Sequence, residues 1–265
     1  MSTDLIGPVC IGLVSLLTSG FTLFSGFGLG TILMPVFALF FPVPLAVAAT
    51  AVVHFAGNLF KFGLLAKQAD WPVVVRFGVP AALAATAGAA LLNLFDRLPA
   101  WGSYQLAGTV HHVTAVKAVI GVLIVLFALL ELSARFQALQ LPPRWLPLGG
   151  ALSGFFGGLS GNQGALRSAF LIKAGLRKEA FVATGVVAAI IVDATRLMVY
   201  GVGSVPQHIF GSKALTGSVL AGTVCAFIGA WVGKRVLRKV TLRAVQIVVA
   251  AGMLVIGTGL ATGLI

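Results

Sequence analysis

Charged side chains are scarce in this sequence, and acidic ones are the scarcest. Asp, Glu, Lys and Arg together make up 9% of the 265 residues, and 6 residues in all are Asp or Glu. Hydrophobic residues make up 59%, whereas soluble domains have about 45–50% apolar and about 25% charged residues. The composition excludes an ordinary soluble domain and predicts an integral membrane protein.

The residues of several common site types are also missing. The two cysteines, Cys10 and Cys225, lie far apart within apolar segments, so they form neither a disulfide framework nor a metal-ligand spacing. His111 and His112 are adjacent in a polar loop, where a solvated surface is expected. There is no nucleophile elbow and no P-loop. We therefore expect no enzyme activity, no bound metal and no cofactor.

The net charge of +12 would suggest a nucleic-acid partner for a soluble protein. Here the basic residues lie at the ends of apolar segments, where Lys and Arg set the orientation of membrane helices. We therefore expect the lipid bilayer, and no nucleic acid, as the partner of this basic surface.

Ten apolar segments follow one another along the chain. Most reach the roughly 20 residues that a spanning helix needs, but 30–41 and 165–173 are too short. Each short segment follows a glycine-rich interruption, as in the broken helices of transporters. The sequence thus predicts an all-α integral membrane protein with two inverted repeats, each a broken-helix hairpin plus three transmembrane helices. Repeat 1 (1–134) has the hairpin 5–41 and the spans 44–66, 71–95 and 113–132; repeat 2 (135–265) has the hairpin 145–173 and the spans 178–202, 213–234 and 242–264.

The two interruptions resemble each other and lie about 135 residues apart. The first is the segment SGFGLG at 25–30, and the second is SGNQGA at 160–165. Unwound backbone inside a bilayer must face protein, water or a solute, because lipid cannot satisfy its N–H and C=O groups. We therefore expect the breaks to form a binding site, made by Gly28, Gly30, Gly161, Gly164, Asn162 and Gln163.

An odd number of segments per repeat inverts the second repeat relative to the first. The positions of Lys and Arg agree, because basic residues concentrate on the cytoplasmic side. With the N-terminus outside, thirteen of the 18 lie in the cytoplasmic regions 61–76, 135–144, 173–178 and 234–243, and three lie outside. We expect a multi-pass protein of the bacterial cytoplasmic membrane with both termini extracytoplasmic. The sequence leaves the oligomeric state open and is compatible with a homodimer.

Arg167 lies in the short segment that follows the second break. No Asp or Glu stands three or four residues away from it, and an arginine at membrane depth needs a partner. A bound anion would be such a partner, and the free N–H groups of a helix N-terminus would help to hold it. The alternatives are an ion pair with Asp193 and an extended side chain that reaches the inner membrane surface.

His54, Asn58 and Lys61 lie at i, i+4 and i+7, on one face of the span 44–66. Asp193 and Arg196 lie in the matching span of the second repeat. Polar groups at this depth must face protein or water, so we expect all five to line the solute path, with Asn58 touching an anion directly. The alternatives are a packing role for His54 and a self-neutralising ion pair between Asp193 and Arg196.

Four motifs resemble those of the TauE/SafE family of membrane anion exporters. They are GFGLGTILMP at 26–35, AVAAT at 46–50, GGLSGNQG at 157–164 and ATGVV at 183–187. The resemblance covers essentially the whole chain and implies secondary export of sulfite, organosulfonates or sulfonate-like carboxylates. Two alternatives stay open: proton-coupled uptake of a related anion, with His54 or Asp193 taking the proton, and a non-transporting membrane anchor subunit.

Overall fold

The structure, a computed structural model, describes residues 5–25, 29–139, 141–172, 174–201, 211–236 and 242–265. These residues form helices joined by short connections, with a single pair of strands. The first half contains α1 (Ile6–Ser25), α2 (Leu29–Ala38), α3 (Val43–Leu65), α4 (Trp71–Asp96), β1 (Gly102–Leu106), β2 (Thr109–Val113) and α5 (Ala115–Leu132). The second half contains α6 (Ala134–Gln137), α7 (Leu146–Ser160), α8 (Gly164–Leu171), α9 (Lys178–Gly201), α10 (Lys213–Val236) and α11 (Leu242–Ala261).

The longer helices have the length and the surface of membrane helices. Large apolar side chains point outward, and both Leu83 and Val255 are 72% exposed. An apolar surface of this size is unfavourable in water and favourable in contact with lipid. The all-α integral membrane class is therefore confirmed. Five stretches of the described residues are long and apolar enough to cross a bilayer: Val43–Gln68, Trp71–Asp96, Ala115–Leu132, Lys178–Gly201 and Lys213–Gly233.

Capping residues determine where α4 and α5 begin. The Asp70 carboxylate accepts a hydrogen bond from the backbone N–H of Val73 at 3.0 Å, and a proline lies in the first turn of α4. Thr114 caps α5 in the same way through the N–H of Lys117 at 3.3 Å. Side-chain caps satisfy N–H groups that a helix leaves free at its start, so both helices begin at defined residues at the edge of the membrane region.

Glycines let four helices pack backbone to backbone. A Cβ placed at Gly150, Gly154 or Gly158 of α7 would collide with a backbone carbonyl oxygen of α4. Gly229 of α10 lies in the same way against the backbone of Leu16 in α1. Small residues four apart allow such close approach in membrane proteins, and α10 has small residues at 217, 221, 225, 229 and 233.

The long helix of each half packs on the broken hairpin of the other half. Helix α4 lies against α7, and α10 lies against α1. Helices α3 and α9 contact each other, as do α5 and α11. If each helix of α1–α5 is matched in order with one of α7–α11, so that α1 corresponds to α7 and α4 to α10, this set of contacts is symmetric between the two halves. The division into two inverted repeats stays a prediction, and the packing agrees with it.

A β-hairpin stands where the sequence indicated a plain loop. Strands β1 and β2 pair antiparallel, with Tyr104 opposite His111 and their rings stacked 5.3 Å apart. Most of its side chains are exposed. The turn passes through Ala107 and Gly108, which both have positive φ angles, of 49° and 82°. Two such residues in succession are typical of a tight hairpin turn.

Candidate functional site

The second break is built around one left-handed residue. Helix α7 ends at Gly161, whose φ of 81° is readily adopted only by glycine. Its N–H donates to the carbonyl of Gly157 at 3.0 Å, and α8 starts three residues later at Gly164. Between them, Asn162 and Gln163 are each 2% exposed. The break therefore turns two amide side chains into the protein interior.

Asp193 of α9 holds the break and α3 together. Its Oδ1 accepts hydrogen bonds from Gln163 Nε2 at 3.1 Å and Arg196 Nε at 3.0 Å, and Arg196 Nη2 lies 2.8 Å away. Its Oδ2 lies 2.6 Å from His54 Nδ1. The carboxylate is fully buried and satisfied on both oxygens, as a charge in this environment must be.

Arg196 and Tyr200 also bind the last turn of α7. Arg196 Nη1 donates to the carbonyl of Gly157 at 3.0 Å, and the Tyr200 hydroxyl donates to the carbonyl of Gly158. The final carbonyls of a helix have no partner within it, so these two side chains fix the end of α7. A Cβ at Gly161 would lie 3.2 Å from Arg196 Nη1, which is a second reason for glycine there.

A small polar cavity lies beside this network. It is small, with a volume of about 20 Å³. Lys61 Nζ donates to Thr22 Oγ1 at 2.6 Å, and the Asn58 amide nitrogen lies 3.1 Å and 3.4 Å from the two ring nitrogens of His54. The side chains of α1, α3, α8 and α9 that line it are Thr22, His54, Asn58, Lys61, Arg167, Val182 and Val186.

The charges around the cavity are mostly positive. Lys61, Arg167 and Arg196 are each at most 5% exposed, and the buried carboxylate among them is that of Asp193. The other acidic residues that the structure describes lie elsewhere, at the N-cap of α4 or on α4, α5 or α9, and none of them lines the cavity. Three cationic side chains thus lie around one carboxylate. Such a surface attracts anions.

A comparison with protein families gives the decisive observation. The model of the family described as sulfite exporter TauE/SafE matches residues 11–260. The chain belongs to this TauE/SafE family. Among curated proteins and among solved structures there is no match. The predicted family membership is confirmed, and the TauE/SafE protein is a multi-pass membrane protein of a transporter family.

The predicted site residues of the TauE/SafE protein fall into two layers. His54, Asn58, Lys61 and Arg167 line the cavity. Arg167 is 5% exposed, so its side chain stays inside the protein and does not extend to the membrane surface. Behind this wall lie Gln163, Asp193 and Arg196, which are joined to it through the Asp193–His54 contact. Asn162 lies apart from them, and its amide donates to Ser160 Oγ at 3.2 Å. Their role in binding stays a prediction.

Among the described residues of the first hairpin, Thr22, on α1 shortly before the first break, lines the cavity. Residues 26–28, which include the predicted Gly28, lie outside the described residues, and Gly30 lies in the first turn of α2. Sequence reasoning missed Thr22. It is part of a buried series with Ser15 and Ser19 at helical spacing along α1, and that spacing is the signal that could have identified it.

Proposed function

We propose that this TauE/SafE protein exports small oxyanions, sulfite or organosulfonates and sulfonate-like carboxylates, from the bacterial cytoplasm. The anion binds in the polar cavity beside the second break, with Arg167 and Lys61 as its cationic partners and Asn58 as a neutral donor. Both termini lie outside the cell in this proposal.

The charge of the cavity is the observation that supports the proposal. Two cationic side chains, Lys61 and Arg167, line one enclosed space within the helical bundle. Buried charges of one sign are tolerated where a charged ligand spends time. The Asn58 amide adds a donor without the desolvation of a further full charge. The membrane potential favours export, since an anion leaving an inside-negative cell gains about 2.3 kcal/mol per charge per 100 mV.

Sulfite efflux from proteoliposomes tests the role of Arg167. We expect Arg167→Ala to lower transport at least tenfold, because removing a charged partner from a desolvated anion costs about 2–5 kcal/mol. Arg167→Lys should retain part of the activity, since it keeps the charge but loses the planar, two-pronged geometry. The matched control is Arg177→Ala, in an exposed arginine ten residues away, which should transport like the wild type.

Normal transport by a folded Arg167→Ala protein would contradict the proposal. Equal losses in Arg167→Ala and Arg177→Ala would point to a general effect of lost positive charge at this side of the protein. The non-transporting anchor alternative predicts no sulfite flux in any of these proteins, including the wild type.

A second candidate, proton-coupled uptake, is favoured by one contact. His54 Nδ1 lies 2.6 Å from Asp193 Oδ2, which makes an imidazole–carboxylate pair within the span. Histidine is the side chain that most readily exchanges protons near neutral pH. An imposed pH gradient, acidic outside, should then drive sulfite into vesicles of native orientation. Loss of this drive in His54→Gln, with downhill efflux intact, would support uptake over simple export.

A further inference from the structure

We propose that one acyl chain of a membrane phospholipid binds in a second cavity, between the first hairpin and the last helix. This apolar cavity has a volume of about 500 Å³ and is lined by residues of α1, α2 and α11. It shares no lining residue with the polar cavity beside the second break. The inference is therefore independent of the proposed anion export. The bound chain supports α2, which faces α11 across this space.

The first step is the chemistry of the wall. Of the described residues that line the apolar cavity, Thr18 alone has a hydroxyl, and the others are aliphatic residues, glycine, proline or methionine. The Thr18 hydroxyl donates to the carbonyl of Val14 in its own helix at 2.7 Å, so it needs no further partner. A buried water requires several polar partners, and a cavity without them stays dry. The apolar cavity therefore fits a hydrocarbon and excludes water.

The second step is that the apolar cavity opens to the lipid-facing surface. Leu17 of α1 and Val248 of α11 line it and are 56% and 73% exposed. Thr18 and Met253 also line it, and both are buried. The cavity thus leads from the hydrocarbon region of the bilayer into the protein. Acyl chains fill that region of a membrane, so an acyl chain is the occupant that has direct access.

The third step is the size of the space. An apolar cavity of about 150 Å³ holds one benzene molecule, which has six carbons, so about 500 Å³ has room for roughly 20 carbons. A single acyl chain, which covers about half of the roughly 30 Å hydrocarbon core, is of this size. A complete phospholipid with two chains is larger. One chain therefore enters, and the other stays with the surrounding bilayer.

The fourth step is a comparison with the second hairpin. The two breaks lie about 135 residues apart, and this spacing matches Pro35 with Phe170 and Val14 with Gly149. Phe170 packs on Gly149 so closely that a Cβ on this glycine would overlap its ring. An aromatic ring of the chain itself thus fills the space beside α7, whereas Pro35 and Val14 line an open cavity beside α1. Since protein interiors are otherwise close-packed, the first hairpin needs an occupant from outside the chain.

A phospholipid with a photoactivatable diazirine near the end of one acyl chain tests the inference. The wild-type protein is irradiated in liposomes that contain this lipid, and labelled positions are identified by peptide mass spectrometry. We expect label at the buried Thr18 and Met253 as well as at the lipid-facing Leu83 of α4. Labelling of Leu83 without either buried residue would overturn the inference, because lipid would then only surround the protein. A second copy of the chain seated in the cavity would give this same contrary result.

Filling the apolar cavity from within should displace the chain. Gly252 lines the cavity, and a Cβ there has no neighbour within 4 Å, so Gly252→Phe can place its ring in the space. We expect a severalfold loss of label at Met253, with Leu83 labelled as before. The matched control is Gly63→Phe, at a glycine of α3 that also has no neighbour within 4 Å and does not line the cavity; it should be labelled like the wild type.

Undiminished labelling of Met253 in a folded Gly252→Phe protein would overturn the placement of the acyl chain in this cavity. The wild-type pattern decides the question even if Gly252→Phe fails to fold, because the comparison of buried and lipid-facing positions needs no variant.

Discussion

Three elements of the fold meet at the carboxylate of Asp193. It accepts from Gln163 at the break and Arg196 on its own helix, and it lies 2.6 Å from His54 on α3. A buried carboxylate with this many partners is hard to replace, since its loss leaves each partner with an unmet hydrogen-bond or charge requirement. Asp193 is therefore the residue that connects the geometry of the break to the wall of the cavity.

Replacing Asp193 and Arg196 singly and together tests how far they act as one unit. We expect Asp193→Asn and Arg196→Gln each to lower stability by about 3–5 kcal/mol, because each leaves a buried charge without its counter-charge. The double variant should be more stable than either single one. Thermal unfolding in detergent measures this difference.

Sulfite transport by the same three proteins then separates structure from binding. Recovery of transport in the double variant would mean that the pair only neutralises itself behind the cavity wall. A double variant that is folded but as inactive as the worse single one would place the pair on the solute path.

Charged residues of the site were predictable, and hydroxyl residues were not. His54, Lys61 and Arg167 stand out in apolar segments because a charge at membrane depth requires a reason. Thr22 does not stand out, since Ser and Thr in a membrane helix can bond the carbonyls of their own helix and need no other partner. Thr22 does this with Ser19, and its contact with Lys61 depends on how α1 packs on α3, which the sequence does not state.

At the scale of elements, two of the apolar segments can be compared with helices of the structure. The segment 44–66 overlaps α3 (Val43–Leu65), and 71–95 overlaps α4 (Trp71–Asp96). Because bilayer thickness fixes the length of a spanning helix, the length of an apolar segment predicts where such a helix begins and ends. The β-hairpin was not predictable from the sequence, because its turn has Ala107 at a positive φ. A glycine or asparagine at that position would have been a recognisable turn signal.

The contact of α4 with α7 gives a prediction at this scale. A Cβ at Gly154 would collide with the carbonyl oxygen of Ala81, whereas one at Gly217 of α10 has no neighbour within 4 Å. We expect Gly154→Ala to lower the unfolding temperature. Gly217→Ala should leave it unchanged or raise it slightly, since alanine favours a helix by about 0.5–1 kcal/mol over glycine. Equal unfolding temperatures would show that α4 and α7 can move apart freely.

At the scale of the whole molecule, the sequence predicted the class of the fold but not which helices pack against each other. Small residues four apart in α10 are typical of close helix packing, yet their spacing alone does not say which helix lies opposite. That choice depends on the shapes of both surfaces, and here it pairs α4 with α7 and α1 with α10. The order of the segments along the chain gives no hint of these long-range pairs.

The inverted arrangement predicts the side on which each connection lies. Position 68, between α3 and α4, and position 206, which is equivalent to it in the second half and lies outside the described residues, should face opposite sides. In a protein without Cys10 and Cys225, single cysteines at Gln68 and Pro206 are labelled with a membrane-impermeant maleimide. We expect labelling at 206 in intact cells and at 68 only after permeabilisation.

A third cysteine at Ser103, in the β-hairpin, should label with 206 because the hairpin follows α4. Labelling of 68 and 206 on the same side would end the inverted-repeat interpretation. Labelling of 103 with 68 would show that α4 does not cross the bilayer.

Because α1 packs on α10 of the other half, the packing of α1 can be completed only late in synthesis. Helix α1 is made first, but the glycines that receive it are on α10, and Gly229 follows its partner Leu16 by 213 residues. At about 5–20 residues per second, α1 waits roughly 10–40 s in the bilayer before its partner leaves the ribosome. The first five helices therefore insert as an unfinished half, and nascent chains that stop before residue 213 expose the α1 surface to quality-control proteases.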